Sequence, residues 1–199
     1  MSTTILKCAA PLALALGIAL PAGAQHLYNI DSAHSSAQFS VVHLAISKVN
    51  GEFRKVSGTV YFDANDPSKD KIAAVVDTTT VSTREDKRDE HLKSDAFFDV
   101  AKYPTMTFKS TSASKEGGKL LVNGDLTLHG VTKPVTLEVE GPSAEIKDPF
   151  GNLKVGASAS TKINRKDFGL TWNKALDGGG VMVGDEVTIN IDVELARKP

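Results

Sequence analysis

Apolar and polar residues alternate one for one along six stretches of this chain, and side chains two apart share a face only on an extended strand. Ala37, Phe39 and Val41 alternate with Ser36, Gln38 and Ser40, and Met106 and Phe108 with Thr105, Thr107 and Lys109. Leu120, Val122, Leu126 and Leu128 share a side against Asn123, Asp125 and Thr127. Val135, Leu137 and Val139 oppose Thr136, Glu138 and Glu140. Leu153, Val155, Ala157, Ala159 and Ile163 keep one parity, as do Val187, Ile189, Ile191, Val193 and Leu195. Each stretch reads as a strand with one buried face.

Two further runs, Phe53–Phe62 and Ile72–Val81, are rich in Val and Thr but alternate less cleanly. That makes about eight strands, separated by breakers such as Asn65-Asp66-Pro67, Glu116-Gly117-Gly118 and Gly141-Pro142. Eight antiparallel strands with one apolar stripe each close into an up-and-down barrel or stack as a sandwich. Small residues (Ala37, Ala157, Ala159) beside Phe and Met suit a barrel with room inside. Barrels of about eight strands hold either packed side chains or one small ligand. One segment breaks the pattern: residues 83–94 read as a helix, with Ser82 or Thr83 as N-cap and acidic residues in the first turn. Arg84, Arg88 and His91 fall on one side of it by spacing. They form part of a solvated face, or else face a common anion or the mouth of the sheet.

Lys7, the apolar run Cys8–Leu20 and the small residues Ala22 and Ala24 have the layout of a cleavable secretory signal over residues 1–24. Pro11, Gly17 and Pro21 interrupt that run, whereas a spanning helix needs about 20 apolar residues. Export is therefore expected, with no permanent membrane span after cleavage. Residues 25–199 carry no repeat, linker or charge shift and read as one domain. Cys8 is the only cysteine, which excludes an intrachain disulfide framework, a CxxC pair and a multi-thiolate metal site. With 23 Lys+Arg against 24 Asp+Glu the chain lacks the basic footprint of a nucleic-acid protein.

Motifs of catalysis are missing: there is no Gly-x-Ser-x-Gly elbow, Walker loop, strand-linked GxGxxG or HExxH. His26, His34, His43, His91 and His129 show no metal-ligand spacing, so no metal and no catalytic residue is assigned. A general acid/base role for His43 or His91 remains the enzymatic alternative. The segment Asn164-Arg165-Lys166-Asp167-Phe168-Gly169 is either a head-group site for an amphiphile or a loop tied by an Arg165–Asp167 hydrogen bond.

Several segments, taken in order, carry a family pattern. They are Tyr28-Asn-Ile-Asp31-Ser-Ala-His34-Ser35, Arg88-Asp-Glu-His-Leu92, Tyr103-Pro-Thr-Met-Thr-Phe-Lys-Ser-Thr111, Asp125-Leu-Thr-Leu-His-Gly-Val-Thr-Lys-Pro-Val135 and Gly184-Asp-Glu-Val187. In that order they resemble the YceI family of secreted, polyisoprenoid-binding-type bacterial proteins. The resemblance implies an all-β fold, an eight-stranded antiparallel lipocalin-like barrel with one helix in a connection. True lipocalins carry a Gly-x-Trp near the start, whereas Trp172 comes late, so the likeness to lipocalins is architectural. It also implies a non-enzymatic periplasmic protein that holds an isoprenoid, quinone or other long-chain amphiphile, commonly as a homodimer, with that lipid as ligand and no further cofactor. The lining expected for such a channel is Phe39, Val41, Phe53, Met106, Phe108, Val135, Phe168, Trp172, Ile189 and Ile191. The head-group candidates are His43, Arg88, His91 and Arg165. The rivals are an enzyme acting on a lipid-like substrate and an interaction module with a filled core.

Overall fold

The computed structural model describes residues 25–63 and 65–198, and the signal segment expected over residues 1–24 lies outside them. The first six strands are short: β1 (Gln25–Ile30), β2 (Ser36–His43), β3 (Ser47–Phe53), β4 (Val56–Asp63), β5 (Lys71–Asp77) and β6 (Val81–Ser82). Helix α1 (Asp86–Lys93) then leads to β7 (Thr105–Glu116), β8 (Lys119–Leu128), β9 (Val131–Glu140), β10 (Ile146–Lys147), β11 (Leu153–Asn164) and β12 (Val183–Arg197).

Register shows how these make eight staves. Strands β1 and β2 lie along the same edge of β12, through Ile30↔Leu195 and then Ala37↔Ile191. Strand β4 pairs with β1 and β3 with β2, while β5 pairs with β4 and β6 with β3. Three staves are therefore each built from two strands with one break, at residues 31–35, 54–55 and 78–80. Strands β7, β8, β9, β11 and β12 complete the meander, and pairing from Lys154↔Ala196 to Asn164↔Glu186 closes it. The result is an eight-stranded antiparallel barrel. Local pairing of sequential strands without crossovers follows from their short connections.

The breaks explain the irregular alternation of Phe53–Phe62 and Ile72–Val81, since each run spans one. Backbone groups freed there find hydroxyl partners, as buried polar groups must. The Glu194 amide donates to Ser35 Oγ (3.1 Å), the Arg54 amide to Thr80 Oγ1 (3.1 Å), and Thr78 Oγ1 donates to the Tyr103 carbonyl (2.8 Å). On the opposite wall β9 and β11 pair only from Ser158↔Glu140 to Ser160↔Glu138. Lys133 and Pro134 blunt the exposed edge of β9 beyond that point.

The helix starts later than its sequence suggests. Glu85 is the N-cap, accepting from the amides of Lys87 and Arg88. Thr83 is held instead by Asp89, whose carboxylate accepts from its amide (2.7 Å) and its hydroxyl (2.5 Å). Arg84 takes a left-handed φ of 62° and precedes the helix, so it does not share a helical face with Arg88 and His91.

Candidate ligand-binding cavity

Because alternate residues on every stave point inward, the barrel interior is apolar by construction, and it is not filled. Two chambers occupy it, of about 170 Å³ and about 220 Å³. An engineered apolar cavity of ~150 Å³ stays dry and takes up benzene, so either chamber is large enough to hold part of a hydrocarbon. Ala37, Met106, Leu128 and Ile189 line both, forming a waist between the chambers.

The inner chamber lies where the broken staves run as β1, β4 and β5. Tyr28, Val56, Phe62, Ile72, Phe108, Val135 and Ile191 are among its walls, and every lining residue is buried or half-buried. Asp70 is the one ionisable carboxylate on its surface. Its Oδ1 accepts from the Asp63 amide at 2.9 Å, and burial raises its pKa. Tyr28 donates from its hydroxyl to Glu145 at 3.1 Å, and desolvation, with that contact, pushes the phenol up.

The outer chamber lies where the same staves continue as β2 and β3. Phe39, Val41 and Phe53 enter it from the strands, Trp172 from the segment after β11, and Arg88 and His91 from α1. His91 is exposed, so this chamber reaches the surface. Its ring meets Trp172 edge-on at 4.8 Å and Phe97 at 5.0 Å. Arg88 is held by Thr83, donating from Nε to Oγ1 (2.7 Å) and from Nη2 to the carbonyl (2.9 Å). Those two bonds leave three of the five guanidinium N–H groups for other acceptors.

Nine of the ten expected lining residues border one chamber or both. Phe168 does not. It is 2% exposed and packs in the core cluster with Leu126, Ile163 and Leu170. It belongs to the short 3-10 turn Arg165–Phe168, which leaves β11 before the strand can carry its side chain into the channel. All four head-group candidates border the outer chamber, but Arg165 has no donor left for a ligand. Its Nε donates to the Gly184 carbonyl (2.9 Å), Nη1 to the carbonyls of Leu170 and Trp172, and Nη2 to the Val183 carbonyl (3.3 Å) and Asp185 (3.4 Å). Five N–H groups meet five acceptors. The expected partner Asp167 is not among them. Arg165 is a clasp that fixes the loop carrying Trp172.

Sequence reasoning missed Tyr28, Phe62, Phe97, Phe98 and Leu170 as lining residues. Tyr28 and Phe62 sit on staves whose breaks hide the alternation, while the other three lie in connections, where no periodicity exists to read. A separate cluster at the first break joins Asp31, His34 and Glu194, with ligand atoms within 4.8 Å of one another. Lys154 Nζ already stands 2.9 Å from both carboxylates, so an ammonium occupies the position a metal cation would take.

A family model described as a YceI-like domain matches residues 28–195. A UPF0312 protein of Vibrio parahaemolyticus is 44% identical over 161 residues, 79% of this chain and 85% of that protein. Among solved structures, the YceI protein of Campylobacter jejuni is 33% identical, with a TM-score of 0.66 over 79% of this chain and 90% of its own. A polyisoprenoid-binding domain from Saccharophagus degradans, implicated in plant cell wall breakdown, is 19% identical. Its TM-score is 0.62, covering 86% of this chain and 98% of that one. At that identity the likeness is one of fold.

Proposed function

The chain belongs to the YceI-like domain family, and from that premise we propose that it is an exported, periplasmic carrier of a long-chain amphiphile of isoprenoid or quinone type. The observation that supports this best is the polarity gradient of the cavity: two apolar chambers in series, with free polar groups gathered at the outer one. A tail reaching through the waist gains about 0.8 kcal/mol for each CH₂ buried, without any polar contact. His43, Arg88 and His91 stand where a head group would come to rest. The Saccharophagus domain's stated ligand class fits a cavity of this shape. Export rests on the signal layout of residues 1–24.

Cargo that fills the chambers of the folded barrel stabilises it by mass action. Neither His43 nor His91 is hydrogen-bonded to a carboxylate among the described residues, which favours binding over a general-base relay.

Trp172, the only tryptophan, borders the outer chamber and supplies the test. Quinones quench indole emission, so titration with a long-tailed quinone is expected to quench Trp172 and raise the melting temperature. Solvent extraction of native protein is expected to release an isoprenoid or quinone visible by mass spectrometry. Native protein that yields no lipid and takes up neither quinones nor polyprenols would sink the carrier reading.

A further inference from the structure

The rim of the outer chamber exposes apolar residues that the barrel's own packing does not need. Ile46, at the tip of the β2–β3 hairpin, is 84% exposed, and Val181 beside it is 44% exposed. The two tips are joined, since the Leu44 amide donates to the Met182 carbonyl at 2.8 Å. Val181 bridges to Ala175 across a second small hairpin that ends in Gly178-Gly179-Gly180. Both tips adjoin the chamber directly, because His43, Met182 and Val183 line it.

Local stereochemistry sharpens the point. Leu44 and Ala45 both have positive φ (53° and 58°), and the Ile46 amide closes the turn on the His43 carbonyl at 3.2 Å. His43 pairs with Ser47, so the connection has three residues, and its two successive positions of positive φ favour Asn and Gly. Here those positions are Leu and Ala, followed by a solvated isoleucine, a choice that turn chemistry and folding do not explain.

The two hairpin tips carry basic residues in excess, while α1 at the same rim sets Asp86, Asp89 and Glu90 against Lys87, Arg88 and Lys93. Lys48 is exposed on β3, opposite Val42 in register. Lys174 precedes the second hairpin, and neither lysine is in an ion pair among the described residues. Across residues 39–51 and 174–183 Asp177 is the one acidic residue. Apolar tips flanked by basic residues are the features by which a protein sits at the interface of a bilayer bearing anionic lipids.

We propose that this rim docks on an anionic lipid bilayer, with Ile46 and Val181 entering the interface and Lys48 and Lys174 facing the headgroups. The docked outer chamber opens onto the membrane, and an apolar tail passes between bilayer and barrel without crossing water. This rests on the carrier reading for its purpose but not for its test.

The test uses the full exported chain and a variant with I46D and V181D, neither of which lines a chamber. Vesicles of phosphatidylethanolamine with a minor fraction of phosphatidylglycerol are floated through a density gradient with each protein. Quenching of Trp172 by a water-soluble short-chain quinone is measured alongside, without vesicles. Wild type is expected to float with the vesicles, less so in high salt. The double variant is expected to lose at least about tenfold in vesicle affinity and to keep its quenching curve. Wild type that stays with the soluble fraction overturns the proposal, as does a variant that floats equally well. A wild-type dimer that the variant converts to a monomer also overturns it, because the rim then belongs to a second copy. Absence of quenching in the wild type strikes the carrier reading instead, while flotation still decides the rim.

Discussion

The inner chamber is bordered by staves running as β1, β4 and β5, and the outer one by their continuation as β2 and β3 together with α1 and the loop after β11. Both are apolar for the same reason, the alternation of side chains along each stave. They differ in what surrounds the strands. The inner walls are contributed almost wholly by strands and bear one carboxylate, whereas connections bring Arg88, His91 and Trp172 to the outer one. A wall made by periodicity accepts any chain of the right girth. A wall made by connections places individual donors, and selectivity for a head group resides there.

The largest expected effect strikes the outer wall through its clasp. Arg165→Met leaves the carbonyls of Leu170, Trp172 and Gly184 without the donor that Arg165 supplies, while Asn173 Nδ2 still donates to that of Val183. A loss of about 3–5 kcal/mol is expected, as for removing one partner of a buried charged group. Urea denaturation followed by Trp172 emission measures it. Arg165→Lys should recover little, because a point ammonium cannot span five acceptors. A variant as stable as wild type would show that the loop is held by something else.

Separating the chambers comes next. Ala37 is 8% exposed and lines both, so Ala37→Phe plugs the waist and denies a tail the inner chamber. Losing about four buried CH₂ groups weakens a long-tailed quinone roughly 200-fold. A tail-less quinone should keep its affinity within about threefold. Equal weakening of both ligands in the quenching titration would mean that the chambers do not act in series.

A smaller contrast tests how far each wall can yield. Each chamber has a phenylalanine ring lying over a glycine, Phe108 over Gly124 inside and Phe39 over Gly51 outside. A Cβ at Gly124 would meet the Phe108 ring and, at 2.6 Å, the Lys109 carbonyl, which is fixed in a strand. At Gly51 its three nearest atoms all belong to the Phe39 ring, which has the outer cavity to swing into. Overpacking of this kind typically costs 1–3 kcal/mol, so Gly124→Ala is expected near about 3 and Gly51→Ala near about 1. The reverse order in denaturant midpoints would mean that the outer wall is the stiffer one.

The smallest effects are in pH. Hydrogen bonds from Lys154 and His34 hold the Asp31 carboxyl well below the usual carboxylate range. Its stabilising contribution is therefore present above about pH 4 and is lost as pH falls further. Burial raises Asp70 in the inner chamber, with the opposite sign. The folded chain takes up that proton before the unfolded chain does, so mild acidification toward about pH 4 favours the fold. Asp31→Asn should lower stability at neutral pH and flatten the acid loss. Asp70→Asn should remove the gain on mild acidification, both read from urea midpoints across an acid series.

Much of the inner chamber was legible in the sequence. Val122, Leu126, Val135, Ile189 and Ile191 all face inward at the parity their neighbours dictate. Phe168 lies outside the channel that alternation would give it because a four-residue turn carries no periodicity, and its apolar ring fits a core as well as a channel. Arg165 has Asp167 two residues away in sequence, whereas its acceptors lie 5 to 20 residues away on a returning strand and loop. Arg88 and His91 both border the outer chamber, from a helix that begins at Asp86 because Glu85 caps it.

Alternation alone determined that this chain is a set of half-buried strands, since only an extended backbone puts side chains two apart on one face. Short turns between them determined that neighbours in sequence become neighbours in the sheet. Whether the interior would be packed or hollow was decided by the tertiary structure. Three coincident stave breaks and the closure of β11 on β12 set the girth of the barrel, and no local pattern encodes a girth. The same is true of the outer wall, where Arg165, Trp172 and His91 meet only because distant connections are drawn over one end of the barrel.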